Sequence, residues 1–176
     1  TMVLGACSDS SNDDDFVAAP VAPDEGSVYD LAHGCFAVSP ADNAVLATAD
    51  GGYQLVDITL GEDSHFRLQP SDLGRFLLYD ERSNYLVGSD GGLARQAQLA
   101  SDTNMVDGEV VITDRLQSEG EWEVSAAVDG RFNFKHLASG TFLAADATLG
   151  QAPADIALLS REDCAEFPEL TLDATG

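Results

Sequence analysis

The sequence predicts an all-β domain, and three observations lead to this fold class. Short runs of alternating apolar residues recur from about Tyr29 onward, and turn-forming Gly, Asp, Asn or Pro residues separate them. Only the segment 94–101 has a pattern that a helical turn would also accept. The strand-and-turn unit recurs with related residues, most clearly in 66–80, which indicates an internally repeated fold.

The strands follow one another closely along the chain. Two Asp-Gly-Gly segments, 50–52 and 90–92, separate neighbouring runs and are typical of hairpin turns, with ligand contact as the alternative. So many short strands, with no long helical pattern between them, favour a barrel or a sandwich. The predicted strands are 35–39, 44–48, 53–57, 65–68, 75–79, 85–87, 93–95, 110–112, 122–125, 131–134, 141–144 and 156–159.

Three units can be recognised by spacing, since each has an apolar pair and a later closing core residue. The pairs are Val45-Leu46, Phe76-Leu77 and Phe142-Leu143. The closing residues are Phe66, Trp122 and Cys164. The spacing from pair to closing residue is 20, 45 and 21 residues in the three units. We therefore predict an insertion of about 25 residues in the second unit, within 95–120.

Three β-hairpin units of this kind resemble a β-trefoil, and in particular the fascin-like subgroup. The resemblance rests on the Leu-Gly-Arg-Phe-Leu step at 73–77 with a short acidic turn after it, and it covers roughly 34–170. The first unit departs from the pattern, because 43–46 has neither the Gly nor the aromatic residue. Glu121-Trp122 lacks the spacing of the Gln-x-Trp step of ricin-type trefoils, so ricin-type sugar sites are not predicted.

The resemblance implies a trefoil domain at 31–170, with three pseudo-repeats and the insertion in the second. It places in the core the aromatic residues of the repeat, with a sugar-stacking platform as the alternative for the tryptophan. These residues are Phe66, Phe76, Trp122, Phe132 and Phe142. Because the first and last strands of a trefoil pair, the resemblance also implies a disulfide between Cys35 and Cys164; two buried free thiols are the alternative.

The first residues resemble the processing site of a bacterial lipoprotein. Leu4-Gly5-Ala6-Cys7 is similar to a lipobox, which makes 1–6 the remnant of a signal peptide and Cys7 the lipidated residue; a chance cysteine is the alternative. Ser8 rather than Asp follows the cysteine, which in the Gram-negative family rule implies the outer membrane. We expect an exported protein, lipid-anchored at the outer membrane or cell surface.

Two further segments flank the predicted domain. Residues 7–30 are first acidic and then rich in Ala and Pro, which predicts a disordered, extended tether. Residues 171–176 are typical of the start of a linker, and we expect a further region downstream.

The charge and the motif content narrow the function classes. The net charge is −23, from 31 acidic and 8 basic residues, so nucleic acids and anionic lipids should be repelled. The sequence has no CxxC pair, no Cys/His cluster and no Gly-x-Ser-x-Gly motif. We predict no catalytic residue, no metal ligand and no cofactor, and a monomeric domain that meets a membrane only through its lipid anchor.

One polar cluster has the composition of a ligand site. It combines aromatic rings, a carboxylate, a guanidinium and an amide, which suits stacking and hydrogen bonding to a sugar; a hairpin with half-buried tyrosines is the alternative. The predicted ligand-binding residues are Tyr79, Asp80, Arg82, Asn84 and Tyr85.

These observations predict a non-catalytic recognition module that binds a carbohydrate or another extracellular polymer. The alternative is a structural accessory domain of a metal-dependent hydrolase. It follows from a resemblance of the module to the N-terminal trefoil region of some large secreted bacterial proteins.

Overall fold

The computed structural model describes residues 27–58, 65–97 and 119–166, together with the backbone of 101–106, 109–116 and 118. The predicted signal-peptide remnant 1–6, Cys7 with most of the tether, residues 167–170 and the linker 171–176 lie outside the described residues. The strands are β1 (Cys35–Ser39), β2 (Ala44–Ala49), β3 (Gly52–Asp57), β4 (Phe66–Asp72), β5 (Arg75–Asp80), β6 (Tyr85–Ser89), β7 (Gly92–Gln96), β8 (Ser101–Val106), β9 (Glu109–Leu116), β10 (Trp122–Ala126), β11 (Phe132–His136), β12 (Phe142–Leu143), β13 (Leu149–Gly150) and β14 (Ala157–Ser160).

Six strands close into a barrel. Strand β1 pairs with β4 and β14, β4 with β5, β5 with β10, and β10 with β11, all antiparallel. A bridge between Phe132 and Ile156 joins β11 to the start of the last strand and completes the ring. The hairpins β2–β3, β6–β7 and β12–β13 each leave and rejoin the barrel within one repeat. This is the β-trefoil predicted from the sequence, and that prediction is confirmed.

Strand register defines the threefold equivalence. Phe36 lies opposite Phe66, Phe76 opposite Trp122, and Phe132 opposite Ile156. The first residues of these pairs occupy one equivalent position, and the second residues occupy another. Both sets contribute to the core, because an apolar side chain is needed at the same barrel level in every repeat.

Two assignments of the repeat are therefore wrong. The third closing residue is Ile156 and not Cys164, and the counterpart of Leu46 in the second repeat is Leu86 of β6, since Phe76 belongs to the barrel. The error at the third closing residue arises from the third hairpin, whose strands have only two residues each. A short hairpin followed by extra chain up to Cys164 reproduced the spacing of the first repeat by coincidence.

The insertion in the second repeat lies between β7 and β10, as predicted, but counted from Leu86 it lengthens the spacing to Trp122 by 16 residues and not by about 25. Its backbone forms a separate antiparallel hairpin, β8–β9, in which Thr103 lies opposite Ile112. Ala94, where a helical turn was the alternative, lies in strand β7.

The core lies inside the barrel and under the hairpins. Trp122, Phe66 and Phe76 are buried, and the indole Nε1 of Trp122 donates a hydrogen bond to the carbonyl of Leu86 at 3.1 Å. Phe132 is buried as well, which confirms four of the five aromatic core residues and excludes Trp122 as an exposed platform. The exception is Phe142, which is only partly buried because its neighbour Leu143 points into the core.

The chain ends of the domain are joined covalently. Cys35 and Cys164 form the predicted disulfide, with Cα atoms 5.7 Å apart and a sequence separation of 129. The Nε of Arg67 also donates to the carbonyl of Ala165 at 2.9 Å. The segment after β14 is thus held against β1 and β4.

Candidate functional site

The segment from the end of β5 to the start of β6 contains all five predicted ligand-binding residues, but they are not equally exposed. Tyr79, Asp80 and Tyr85 are buried, whereas Arg82 is exposed and Asn84 is half-buried. The two tyrosines lie opposite each other in β5 and β6, with ring centroids 5.0 Å apart. The structure therefore brings the five residues together, and only the arginine and the asparagine reach the surface. We retain the prediction of ligand contact for Arg82 and Asn84. Tyr79, Asp80 and Tyr85 are buried and belong to the structure that carries these two side chains.

The Asp80 carboxylate is the centre of this site and is fully buried. Its Oδ1 accepts the backbone N–H groups of Arg82 at 2.9 Å and Asn84 at 3.0 Å. Its Oδ2 accepts the hydroxyl of Tyr53 and the Nε of Arg95, both at 2.9 Å. These four bonds use the acceptor capacity of a carboxylate, so Asp80 organises the site and leaves ligand contact to its neighbours.

Tyr53 and Arg95 were missed by the sequence analysis. They lie 27 residues before and 15 residues after Asp80, in two different hairpins. Gly52 pairs with Ala94, and this contact between β3 and β7 brings the two side chains to the same carboxylate. The available signal was the pair of Asp-Gly-Gly turns, since Tyr53 and Arg95 each follow one of them closely.

Asp80 raises the pKa values of both Tyr53 and Arg95. Burial raises the pKa of Tyr53, and the charge and hydrogen bond of Asp80 raise it further. Burial acts to lower the pKa of Arg95, but the hydrogen bond and charge of Asp80 outweigh it and leave that pKa raised. The site thus contains a neutral phenol and a permanent cation around one buried anion.

Hydrogen bonds fix the backbone of the turn between β5 and β6. The backbone N–H of Asp80 donates to the carbonyl of Asn84 at 2.8 Å, and the side-chain amide of Asn84 donates to the carbonyl of Arg82 at 2.7 Å. Ser83 adopts the left-handed conformation with φ of 61°, which lets the chain reverse between them. The carboxylate of Glu81 accepts the backbone N–H of His65 at 3.0 Å, which ties the turn to β4. Arg82 and Asn84 therefore project from a backbone that is fixed on both sides.

The equivalent turns of the other repeats are also anchored by buried polar side chains. By barrel register the counterpart of Asp80 in the third repeat is His136, which is buried. Its Nε2 lies 2.9 Å from the carbonyl of Glu119, which can only accept, so its Nδ1 accepts from the Ser139 hydroxyl at 2.8 Å. In the first repeat the Ser39 hydroxyl binds the carbonyls of the turn. Turn anchoring is thus common to the three repeats. The first turn also exposes a carboxylate and an amide, at Asp42 and Asn43, whereas an exposed guanidinium occurs only in the second of these turns.

The described residues contain neither a metal-binding cluster nor a membrane-spanning helix. No three His, Cys, Asp or Glu side chains within them are grouped so that they could hold a metal ion. Among the same residues no helix has the length and apolar character needed to cross a bilayer.

Comparison with known proteins identifies the fold. No protein-family model matches the sequence, and no curated protein sequence matches it. A GlcNAcα1-4Gal releasing endo-β-galactosidase from Clostridium perfringens is similar in structure, with a TM-score of 0.54 and 15% identity over 73% of this chain and 33% of that one.

Two other solved structures are similar. One is the Polyporus squamosus lectin bound to a human-type influenza-binding epitope, with a TM-score of 0.48 and 15% identity over 73% of this chain and 49% of the lectin. The other is ThreeFoil, a designed 3-fold symmetric protein, with a TM-score of 0.48 and 16% identity over 73% of this chain and 91% of that one. The chain spans a third of the galactosidase and about half of the lectin. At 15% identity the likeness to the galactosidase shows the fold alone.

Proposed function

We propose that the chain is a non-catalytic recognition module of the fascin-like trefoil type, which binds a carbohydrate or another extracellular polymer. The observation that carries the proposal is the turn after β5, where Asp80 makes four hydrogen bonds and holds Arg82 and Asn84 at the surface. A site whose backbone is already fixed loses little conformational entropy when it binds, which favours recognition of a weakly interacting polymer.

The chemistry of the exposed pair suits a polyhydroxylated ligand. The guanidinium of Arg82 is a fork of donors. The amide of Asn84 donates one hydrogen to the Arg82 carbonyl and retains a second donor hydrogen and an acceptor oxygen, so the pair can bind neighbouring hydroxyls. The net charge of −23 disfavours polyanions, which leaves neutral or basic polymers. The galactosidase that shares the fold acts on a glycan by its name, which supports a carbohydrate as the ligand class.

Binding can be tested on a glycan array with the full chain. We expect the wild type to bind a neutral glycan and the Arg82→Ala/Asn84→Ala variant to lose at least about tenfold in affinity, or about 1.4 kcal/mol. Arg131→Ala, which removes a half-exposed guanidinium from the turn between β10 and β11, is the matched control. Binding that survives in the double variant, with an unchanged urea midpoint, would contradict the proposed site.

The proposal includes export and a lipid anchor at Cys7. The disulfide between Cys35 and Cys164 supports an oxidising compartment, because such bonds persist outside the cytosol. Expression behind a complete lipoprotein signal peptide in a Gram-negative host with radioactive palmitate should label the wild type at the outer membrane, and Cys7→Ser should lose the label. Equal labelling of the two proteins, or none in the wild type, would rule the anchor out.

The second candidate is a structural accessory domain of a hydrolase. It is favoured by one observation, namely that the similar region covers only 33% of the galactosidase chain, so this fold occurs as part of a larger glycosidase. The two candidates differ on the array, because an accessory domain without a ligand of its own would fold normally and bind no glycan. Hydrolysis of a bound glycan by this chain alone would contradict both.

A further inference from the structure

A groove of about 370 Å³ lies where β4 turns into β5, at the end of β5 opposite to Asp80. It is separated from the turn after β5 by about 17 Å, the length of a six-residue strand at roughly 3.4 Å per residue. The groove is therefore a distinct surface. Its lining residues are Tyr29, Ala32, Pro70, Ser71, Asp72, Leu73, Gly74 and Phe76.

The groove is lined by two exposed apolar side chains. Four large hydrophobic residues of the described chain are exposed, and two of them, Tyr29 at 63% and Leu73 at 79%, line this groove. Tyr29 lies in the 3₁₀ turn Val28–Leu31, whose Leu31 is buried in the core. The aromatic ring is thus carried by an anchored backbone, as a stacking surface requires.

Ser71 adds a polar group without a partner. The register between β4 and β5 shifts between Pro70 and Asp72, so Ser71 is the extra residue of a β-bulge at the barrel rim. Its hydroxyl is buried and makes no hydrogen bond within the protein. Because Ser71 lines the groove, a ligand hydroxyl that reaches its side chain would supply the bond that is missing.

Asp72 supplies a carboxylate at the same edge. Its Oδ1 accepts the backbone N–H of Leu73 at 2.7 Å, while its Oδ2 lies 3.6 Å from the guanidinium of Arg75. That separation exceeds a hydrogen bond, so Oδ2 can accept from a ligand. The side chain is 62% exposed, and its charge repels acidic ligands.

We propose that this groove binds one neutral pyranose unit of a glycan. The apolar face of the sugar stacks on Tyr29 and Leu73, and its hydroxyls bond to Asp72 Oδ2 and to the Ser71 hydroxyl. An aromatic ring beside a carboxylate oxygen and a hydroxyl without a partner matches a sugar better than it matches the apolar side chains of a peptide, which would offer no hydrogen bond to the Ser71 hydroxyl or to Asp72 Oδ2. The inference rests on the proposed carbohydrate-binding function and adds to it a second subsite on the same rigid barrel.

The test uses the full chain with methyl β-galactoside, methyl β-glucoside and N-acetylglucosamine, titrated by saturation-transfer NMR. Tyr29→Ala should weaken binding about tenfold, and Tyr29→Phe, which keeps the ring, less than about threefold. Ser71→Ala should weaken it about threefold while leaving the urea midpoint unchanged or higher, since the hydroxyl has no partner in the free protein. Ile58→Ala, which trims another exposed apolar side chain, is the control.

The outcomes separate the two proposals. Sugar binding that Arg82→Ala abolishes and Tyr29→Ala leaves unchanged would overturn the groove and retain the proposed function. No binding of any of the three sugars, together with an empty glycan array, would overturn both. Concentration-dependent dimerisation that Tyr29→Ala abolishes, without an effect on sugar binding, would also overturn the inference, because the groove would then bind a second copy of the chain.

Discussion

Replacing Asp80 by Asn keeps the size of the side chain but removes the charge beside Arg95. The remaining carbonyl oxygen can still accept the two backbone N–H groups of the turn, at Arg82 and Asn84. The new amide group, however, faces the Nε of Arg95, and two donors then meet at 2.9 Å. Tyr53 can rotate its hydroxyl to accept instead of donate. The loss is therefore concentrated on one ion pair.

The size of the effect follows from burial. Asp80 is fully buried and 15% of the Arg95 side chain is exposed. Leaving one member of a buried pair without its partner costs about 3–5 kcal/mol, and we expect about 3 here because part of the Arg95 side chain is exposed. With an m-value of about 2 kcal/mol per M in urea, the unfolding midpoint should fall by about 1.5 M.

Urea unfolding followed by the fluorescence of Trp122 measures this change. Asp42→Asn is the matched control, because Asp42 pairs with Arg131 at 3.1 Å but is 83% exposed, and it should cost no more than about 1 kcal/mol. Adding Arg95→Met to Asp80→Asn should recover part of the loss, since the isolated charge is removed. Equal midpoints for Asp80→Asn and Asp42→Asn would refute the reasoning.

Three further changes test other parts of the structure. Cys35→Ser opens a loop of 129 residues and should cost about 4–5 kcal/mol; reductant should lower the wild-type urea midpoint equally and leave the variant unchanged. Gly88→Ala places a Cβ 2.6 Å from the ring of His136 and should cost about 1–3 kcal/mol, whereas Gly92→Ala, with no neighbour nearer than 3.7 Å, should lower the melting temperature little or not at all. The raised pKa of Tyr53 means that above about pH 10 the unfolded chain releases a proton that the folded chain retains, so stability should fall with rising pH by up to about 1.4 kcal/mol per pH unit; in Tyr53→Phe this decline should be shallower, and an identical slope would count against it.

Much of the fold could be predicted because the sequence patterns that indicate a trefoil are local. Alternation of apolar residues marks each strand. The resemblance to a trefoil implied that the first and last strands pair, and therefore that Cys35 and Cys164 form a disulfide. The repeat register was less secure. Spacing alone paired Leu143 with Cys164, whereas backbone pairing assigns the closing position to Ile156. Spacing counts residues and cannot detect that one hairpin is shorter than the others.

The candidate site was predicted in part for a related reason. Five residues within seven positions of the chain are neighbours in any fold, so their clustering needed no tertiary information. Their burial did. Tyr79 and Tyr85 could have faced solvent or core, and the pairing of β5 with β6 places both in the core. The groove was missed altogether, because Tyr29 and Ser71 are far apart in sequence and meet only at the barrel rim.

The amino-acid sequence alone was sufficient for the all-β class, the threefold repeat, the insertion and the acidic surface, since these depend on composition and on neighbouring residues. The role of Asp80 depended on the tertiary structure. Its carboxylate is saturated by Tyr53 and Arg95 only because Gly52 of one hairpin pairs with Ala94 of another. Hydrogen-bond partners and burial depend on which distant strands come into register. That register is set by packing the entire barrel, and short segments of the chain do not encode it.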